Sequence, residues 1–323
     1  MDDLAKETKK RLMSARAHKA LVVRDLQEAY FFIRPRMSRQ VTSDSAVSRN
    51  VSDDADMLAT GIGAEVAEDF ATEMIAAFFP PHAPWASSEI SLMPDTSDLA
   101  SVEEDVATYD KGVFSAIRRS NFNAEISVAL DPDGALGTIA LMISAPGAAR
   151  PYRVEHVPLR ELEISLGPDG EVDGRFRVRH VKASELTALL GADVVIPPKF
   201  LQPGNASKSV ECAWGWWRDW SKPADDIFRH VLTLDGQVVV DESMTGTGSV
   251  PLVVMVFAPD RLHAFGNGPA IKCLQEFRVL DVFTEATQDS AIFAIKKPFL
   301  YPDDGVIDFE GGLPSALHNK VLQ

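Results

Sequence analysis

Helical periodicity runs through both ends of this chain and strand alternation fills the middle, and that order constrains the fold more than any single motif does. In residues 3–34, Leu4, Leu12, Ala15, Val22, Leu26, Ala29, Tyr30 and Ile33 fall near helical spacing with basic residues opposite, and Pro35 ends the run. The basic positions read as a solvated face, or as a contact for an acidic neighbour or nucleic acid. A second helix is predicted from Asp54 to Phe79, where Leu58, Ile62, Val66, Phe70, Met74 and Phe78 repeat every four residues. Ser52, Asp53 and Asp54 would cap it, Pro80-Pro81 would stop it, and it would span about 39 Å. Residues 38–53 between them read as a mobile connection. Further helices are predicted from Ser101 to Arg119 and from Asn123 to a break at Asp131-Pro132-Asp133-Gly134.

Beyond Gly137 the character changes. Thr138 to Ser144, Tyr152 to Val157 and Leu162 to Ser165 read as short strands. After the turn residues Gly167-Pro168-Asp169-Gly170, Val172, Phe176 and Val178 alternate with Arg175, Arg177 and Arg179, and the arginines read as a solvated sheet face. Ser184 is placed to cap a short helix ending at Gly191, and the proline-rich residues 197–208 form a loop. Asp235-Gly236, between Leu232-Thr233-Leu234 and Val238-Val239-Val240, is the clearest hairpin signal. Leu252 to Ala258 is a buried strand. Gly266-Asn267-Gly268-Pro269 then opens a helix lasting to about Ile295, ended by Pro298, with loop or short strand after it.

Composition narrows the class. Apolar content of 46% and charged content of 24% fit a globular protein, and no apolar run reaches the length a bilayer requires. The first residues lack the apolar run of a secretory leader, and the two cysteines, Cys212 and Cys273, stand alone; both point to a reducing cytoplasm. The net charge is −15, yet residues 1–40 hold ten Lys/Arg against five Asp/Glu. The acidic body argues against sequence-reading of DNA, but an acidic wall suits DNA that must pass without sticking.

No constellation of chemistry-bearing residues stands out in the sequence. Gly61-Ile62-Gly63 lies within a helical pattern, where a nucleotide fingerprint needs a strand before it, so close helix packing is the better reading. Asp131-Pro132-Asp133-Gly134 lacks the later ligands of a calcium loop and reads as a turn. The seven histidines are scattered, and neither a nucleophile elbow nor a phosphate loop is present. No catalytic residue, cofactor or metal is therefore expected. Trp214, Trp216 and Trp220 share strand parity with Arg218, and Trp217 lies opposite. Four indoles could stack bases, but a core or a subunit interface is the commoner use.

Four stretches, in order, resemble the portal (head-to-tail connector) proteins of short-tailed phages. The first runs from Leu58-Ala-Thr-Gly-Ile-Gly through Met74-Ile-Ala-Ala-Phe-Phe-Pro-Pro to Pro84-Trp85. The second is Asn121-Phe122-Asn123 with Gly137-Thr138. The third is Val157-Pro158-Leu159-Arg160-Glu161-Leu162 with Gly170-Glu171-Val172-Asp173 and Arg175-Phe176-Arg177. The fourth, and most specific, is Phe265-Gly266-Asn267-Gly268-Pro269-Ala270. Departures are Asn267 where the family usually has a basic residue, Gln275 where it has proline, and the break at Asp131 to Gly134.

The resemblance implies an α+β portal fold. Residues 1–136 would be the helical part and 137–265 the β-rich part of a wing, 266–295 the first stem helix, and 296–323 the start of a clip. It also implies a structural subunit, not an enzyme. Copies would form a ring, usually of twelve, at one capsid vertex, assembled in the host cytoplasm and carried in the virion. Partners implied are the terminase large subunit, capsid and scaffolding proteins, a tail adaptor and double-stranded DNA passing non-specifically, with no membrane. Phe265, Gly266, Gly268 and Pro269 would open the stem; Leu274, Phe277, Phe283, Trp214 and Trp216 would serve subunit contacts. A family member is expected to continue beyond Gln323 through a second stem helix, so a truncated prophage remnant without portal activity is an alternative. An acidic cytosolic hydrolase or nuclease and a bacterial interaction module remain rival readings.

Overall fold

The computed structural model describes residues 2–35, 58–88, 99–145, 152–191, 194–221, 225–259 and 261–295. The predicted connection at 38–53, the caps at 52–54 and everything after Ile295 lie outside the described residues. Helix and strand segregate as an α+β protein. Helix α1 (Asp2–Ile33) is followed by α2 (Ile62–Phe78), α3 (Leu99–Arg119) and α4 (Phe122–Ala129). Eight strands then alternate with short helical turns before α7 (Pro269–Lys272) and the long α8 (Leu274–Ile295). Between them lie α5 (Leu186–Leu190) and α6 (Pro198–Leu201).

The strands form two antiparallel sheets. Strands β1 (Thr138–Ser144), β2 (Arg153–His156) and β8 (Leu252–Val256) make a three-stranded sheet in the order β2-β1-β8. The other five follow chain order: β3 (Leu162–Leu166), β4 (Val172–Lys182), β5 (Ser209–Arg218), β6 (Ile227–Leu234) and β7 (Gln237–Thr245). Asp235 (φ 47°) and Gly236 (φ 77°) make the β6–β7 hairpin with both central residues left-handed, as a type I′ turn demands.

Helix α1 ties the parts together. Leu12 and Ala15, in its first half, cover one face of the large sheet at Phe176, Val178, Ala213, Trp217 and Val231. Val22, Leu26, Ala29, Phe32 and Ile33, in its second half, enter the main core with Leu159, Leu162, Ile164, Leu252, Phe265 and Phe277. Its buried positions follow the helical spacing of the sequence, and two of them are polar, Thr8 and Lys19. Lys19 is 3% exposed, and its ammonium donates to the carbonyls of Leu159 (2.6 Å) and Leu162 (2.9 Å) and to Glu163 (3.2 Å). Burial pulls the lysine below its ordinary pKa and pushes Glu163 above, each offset in part by the other's charge.

Several local expectations change. Helix α2 begins at Ile62 with Gly61 as its N-cap, so residues 58–61 are not helical. The reason is tertiary: the Ala59 N–H donates to Asp281 (2.9 Å) and its carbonyl accepts from Gln288 (3.2 Å), which holds this segment against α8. Gly63 does serve close packing, since a Cβ there would lie 2.6 Å from the Phe32 carbonyl oxygen. Ser184 falls inside a 3-10 turn (Ala183–Glu185) and caps nothing, although Gly191 (φ 80°) ends the helix as expected. Pro198–Leu201 and Pro203–Asn205 add short helical turns to the proline-rich loop. The break at Asp131 is a wide turn (Leu130–Gly134) from which the chain goes on into β1.

The arginine alternation is corrected more sharply. Arg177 is buried between Glu155 (2.6 Å) and Glu161 (3.0 Å), and Arg175 donates to the Leu252 carbonyl (3.1 Å). Of the three, Arg179 alone is exposed. This face looks onto the smaller sheet rather than solvent, and strand periodicity cannot see a second layer.

Candidate functional site

The residues expected to open the last helix converge on a junction of three backbones. Phe265 is fully buried. The N–H of Gly266 donates to the Thr138 hydroxyl (2.9 Å), that of Asn267 to the Phe257 carbonyl (3.0 Å), and that of Gly268 to the Leu136 carbonyl (3.1 Å). The Phe257 N–H closes the set on the Gly137 carbonyl (2.8 Å). A Cβ at Gly266 would lie 2.1 Å from the Gly137 oxygen, and one at Gly268 would lie 2.2 Å from the Ala135 oxygen. One at Gly137, whose φ is +101°, would lie 2.3 Å from the Gly268 nitrogen. Only glycine allows main chains to approach this closely.

From that junction Pro269 takes the first helical position. Cys273 (φ −96°, ψ 16°) offsets the short α7 from α8, so the helix expected to be continuous has a step near its base. Its first turns are rooted. Ala270, Leu274 and Phe277 are buried, with the Phe277 ring 5.7 Å from that of Phe32. Arg278 forms a two-point ion pair with Glu28 of α1, the second contact at 2.6 Å. The pair holds the Glu28 carboxyl below its ordinary range. Farther along the helix the anchoring thins out. Val279, Val282, Phe283, Ile292, Phe293 and Ile295 are exposed, Phe283 at 68% and Ile295 at 83%. Twenty-two helical residues make a rod about 33 Å long, with Val279, Val282, Phe283 and Phe293 on a flank that nothing in the described residues covers and Ile292 and Ile295 exposed beyond Leu274 and Phe277 on the other side.

A second cluster lies beside the junction. Asp133 is buried and accepts from the Tyr30 hydroxyl, from His156 Nε2 (2.9 Å) and from the Leu159 N–H (3.2 Å). Its neighbour Asp131 accepts from Arg34. Burial first, and the Asp133 charge second, push the Tyr30 phenol well above its ordinary pKa. Both Asp133 oxygens are taken up by donors of the chain's own helix end, strand and loop, so the cluster fastens α1 to β2. Nothing in the sequence signalled it. In the sequence Asp133 reads as a turn residue and Tyr30 as one position of a helical stripe.

The tryptophans divide between two faces. Trp216 is buried and stacks on His230 (4.9 Å, 3°), and Trp217 is buried against Phe176 (5.8 Å, 24°) on the α1 side. Trp214 is half-buried, and Trp220 Nε1 donates to Asp173 (3.0 Å) under the Arg218 guanidinium. Of the five side chains expected at subunit contacts, Leu274, Phe277 and Trp216 therefore lie inside the chain, and Phe283 is the exposed one.

The stretches that carried the resemblance meet one another in space. Trp85 of the first stacks on Phe122 of the second (5.8 Å) and meets Phe79 edge-on (5.2 Å). The Asn121 side chain accepts from the Val154 N–H (2.9 Å) and donates to the Val154 carbonyl (2.6 Å), pairing with β2 as a strand would. Gly137-Thr138 of the second meets Gly266 to Gly268 of the fourth. Comparison with protein families agrees with this arrangement: the family described as bacteriophage head to tail connecting protein matches residues 5–319. The chain belongs to that family. Curated proteins compared with it individually give no match. As a connector, it is a virion component that contacts capsid and tail parts. No helix among the described residues is long and apolar enough to cross a membrane.

Proposed function

We propose that this connector is the portal subunit of a short-tailed phage. Identical copies, usually twelve, close into a ring at one capsid vertex, through which double-stranded DNA is packaged and later ejected. The terminase large subunit docks on the ring during packaging and a tail adaptor afterwards. The observation that carries this reading is the rooted, projecting α8 with its uncovered apolar flank, in a chain of the connector family. An isolated chain leaves such a flank in water, whereas neighbouring copies would bury it.

In this reading residues 1–136 and 137–265 form the helical and β-rich parts of a wing and 266–295 the first stem helix. The glycine junction fixes the angle between them, and Phe283 serves the contact between copies. The role is structural, and what supports it is that Asn121, Gly137 and the run from Gly266 to Gly268 are engaged in holding elements together. The net charge of −15 suits a ring that repels phosphate and keeps DNA contacts brief. Negative-stain microscopy and light scattering of the purified chain provide the test. Annular particles many times the 35.3 kDa chain mass are expected. A strict monomer at every concentration and salt would overturn the reading.

A further inference from the structure

Helices α1 and α2 each turn an unpartnered face outward, and the two faces are opposites. On α1, Lys6, Lys9, Lys10, Met13, Leu21 and Arg24 fall on one stripe, away from the buried positions Leu12, Ala15 and Val22. Met13 is 58% and Leu21 68% exposed. Among the described residues Lys9, Lys10 and Arg24 have no ion-pair partner, and Lys6 has only a loose, exposed one in Asp3. On α2, Ile62, Glu65, Val66, Asp69 and Glu73 share the outward face, and the helix contains no cation. Ile62 is 41% and Val66 48% exposed, and the three carboxylates have no ion-pair partner among the described residues.

These faces cannot meet within one chain. The two helices already touch through their other sides, where Gly63 lies against the Phe32 backbone and Ala67 joins the core with Val22 and Leu26. The stripes are of similar length, about 22 Å from Lys9 to Arg24 and about 17 Å from Ile62 to Glu73. Each has apolar side chains beside its charges, so contact would bury hydrophobic surface as well as join opposite charges. We propose that the outward face of α1 on one copy docks on the outward face of α2 on a second copy. Because the two patches differ, the contact is head-to-tail, the kind that closes into a ring. The inference rests on the self-assembly reading above and assigns it a surface separate from α8.

The test uses two charge-reversed full-length chains. The first carries Lys9→Glu, Lys10→Glu and Arg24→Glu; the second carries Glu65→Lys, Asp69→Lys and Glu73→Lys. Each alone sets like charges face to face, and self-association by light scattering should weaken about tenfold or more. Mixed in equal amounts, every reversed α1 face finds a reversed α2 face, so assembly should return. That recovery would also show that both variants fold. Wild-type assembly should weaken with added salt. If the wild type assembles and the variants assemble equally well, or if mixing restores nothing, the pairing is overturned and self-assembly stands. A monomeric wild type would sink both.

Discussion

At Gly137, Gly266 and Gly268 the missing Cβ is what lets the entry to β1 and the entry to α7 lie backbone against backbone. Each added methyl would sit between 2.1 and 2.3 Å from a backbone atom of another segment, and backbone cannot rotate away as a side chain can. Gly268→Ala should therefore destabilise the chain by about 3–5 kcal/mol, the range of severe core disruption. Thermal unfolding would measure it. Gly112→Ala, at an exposed helix position with nothing within 4 Å, should by contrast raise stability by about 1 kcal/mol. In the sequence the run from Gly266 to Pro269 marks where a helix opens, because proline at a first helical position is local chemistry. It gave no sign that Gly137, far away in the chain, was the partner. Lys19 makes the same point in reverse. It reads as one more solvated cation on a basic helix, and its burial depends on Leu159, Leu162 and Glu163, which no local pattern connects to it.

At the scale of elements, α8 is held at its base by packing and by a few polar contacts. The Glu28–Arg278 pair and the Ala59 contacts with Asp281 and Gln288 join it to α1 and to the segment before α2. The Arg278 hydrogen bond keeps Glu28 below its ordinary pKa, and Arg177 does the same for Glu155. A carboxyl depressed in the folded chain binds a proton less readily than in the unfolded chain. Its contribution to stability is present above the ordinary carboxylate range and is lost as the pH falls below that range through the depressed pKa. Acidification below about pH 4 should thus loosen α8 first, where the pair is partly open to solvent. Amide hydrogen exchange across residues 274–288, compared with the buried strands β4 and β5 and corrected for intrinsic rates, would show it. Arg278→Ala should speed exchange in α8 at neutral pH and remove most of that acid dependence.

For the whole molecule, burial within one chain is incomplete in a directed way. Apolar side chains are left exposed along α8, and further ones lie among charges on α1 and α2. Phe283→Asp changes a side chain that is 68% exposed, so folding stability should stay within about 0.5 kcal/mol of the wild type. Assembly into large particles, followed by light scattering at matched concentration, should fall sharply, since the substitution places a charge where the proposed ring contact is apolar. Unchanged assembly would remove α8 from that contact and leave the α1–α2 pairing to carry it.

Local chemistry specified the order of elements, the extents of α1, α3 and β1, the hairpin at Asp235-Gly236 and the proline that opens the last helix. All of these rest on interactions between residues near each other in the chain, where periodicity and turn chemistry act directly. The sequence also carried the family, because Asn121, Gly137 and the Gly266 to Pro269 run are residue types that the junctions require. Long-range packing settled that α2 starts at Ile62, that Arg175 and Arg177 face a second sheet, and that Asp133 fastens Tyr30, His156 and Leu159. Those outcomes depend on which surfaces come together over long stretches of chain. A charge or a helix start looks the same in sequence whether it meets water, a neighbouring strand or another subunit.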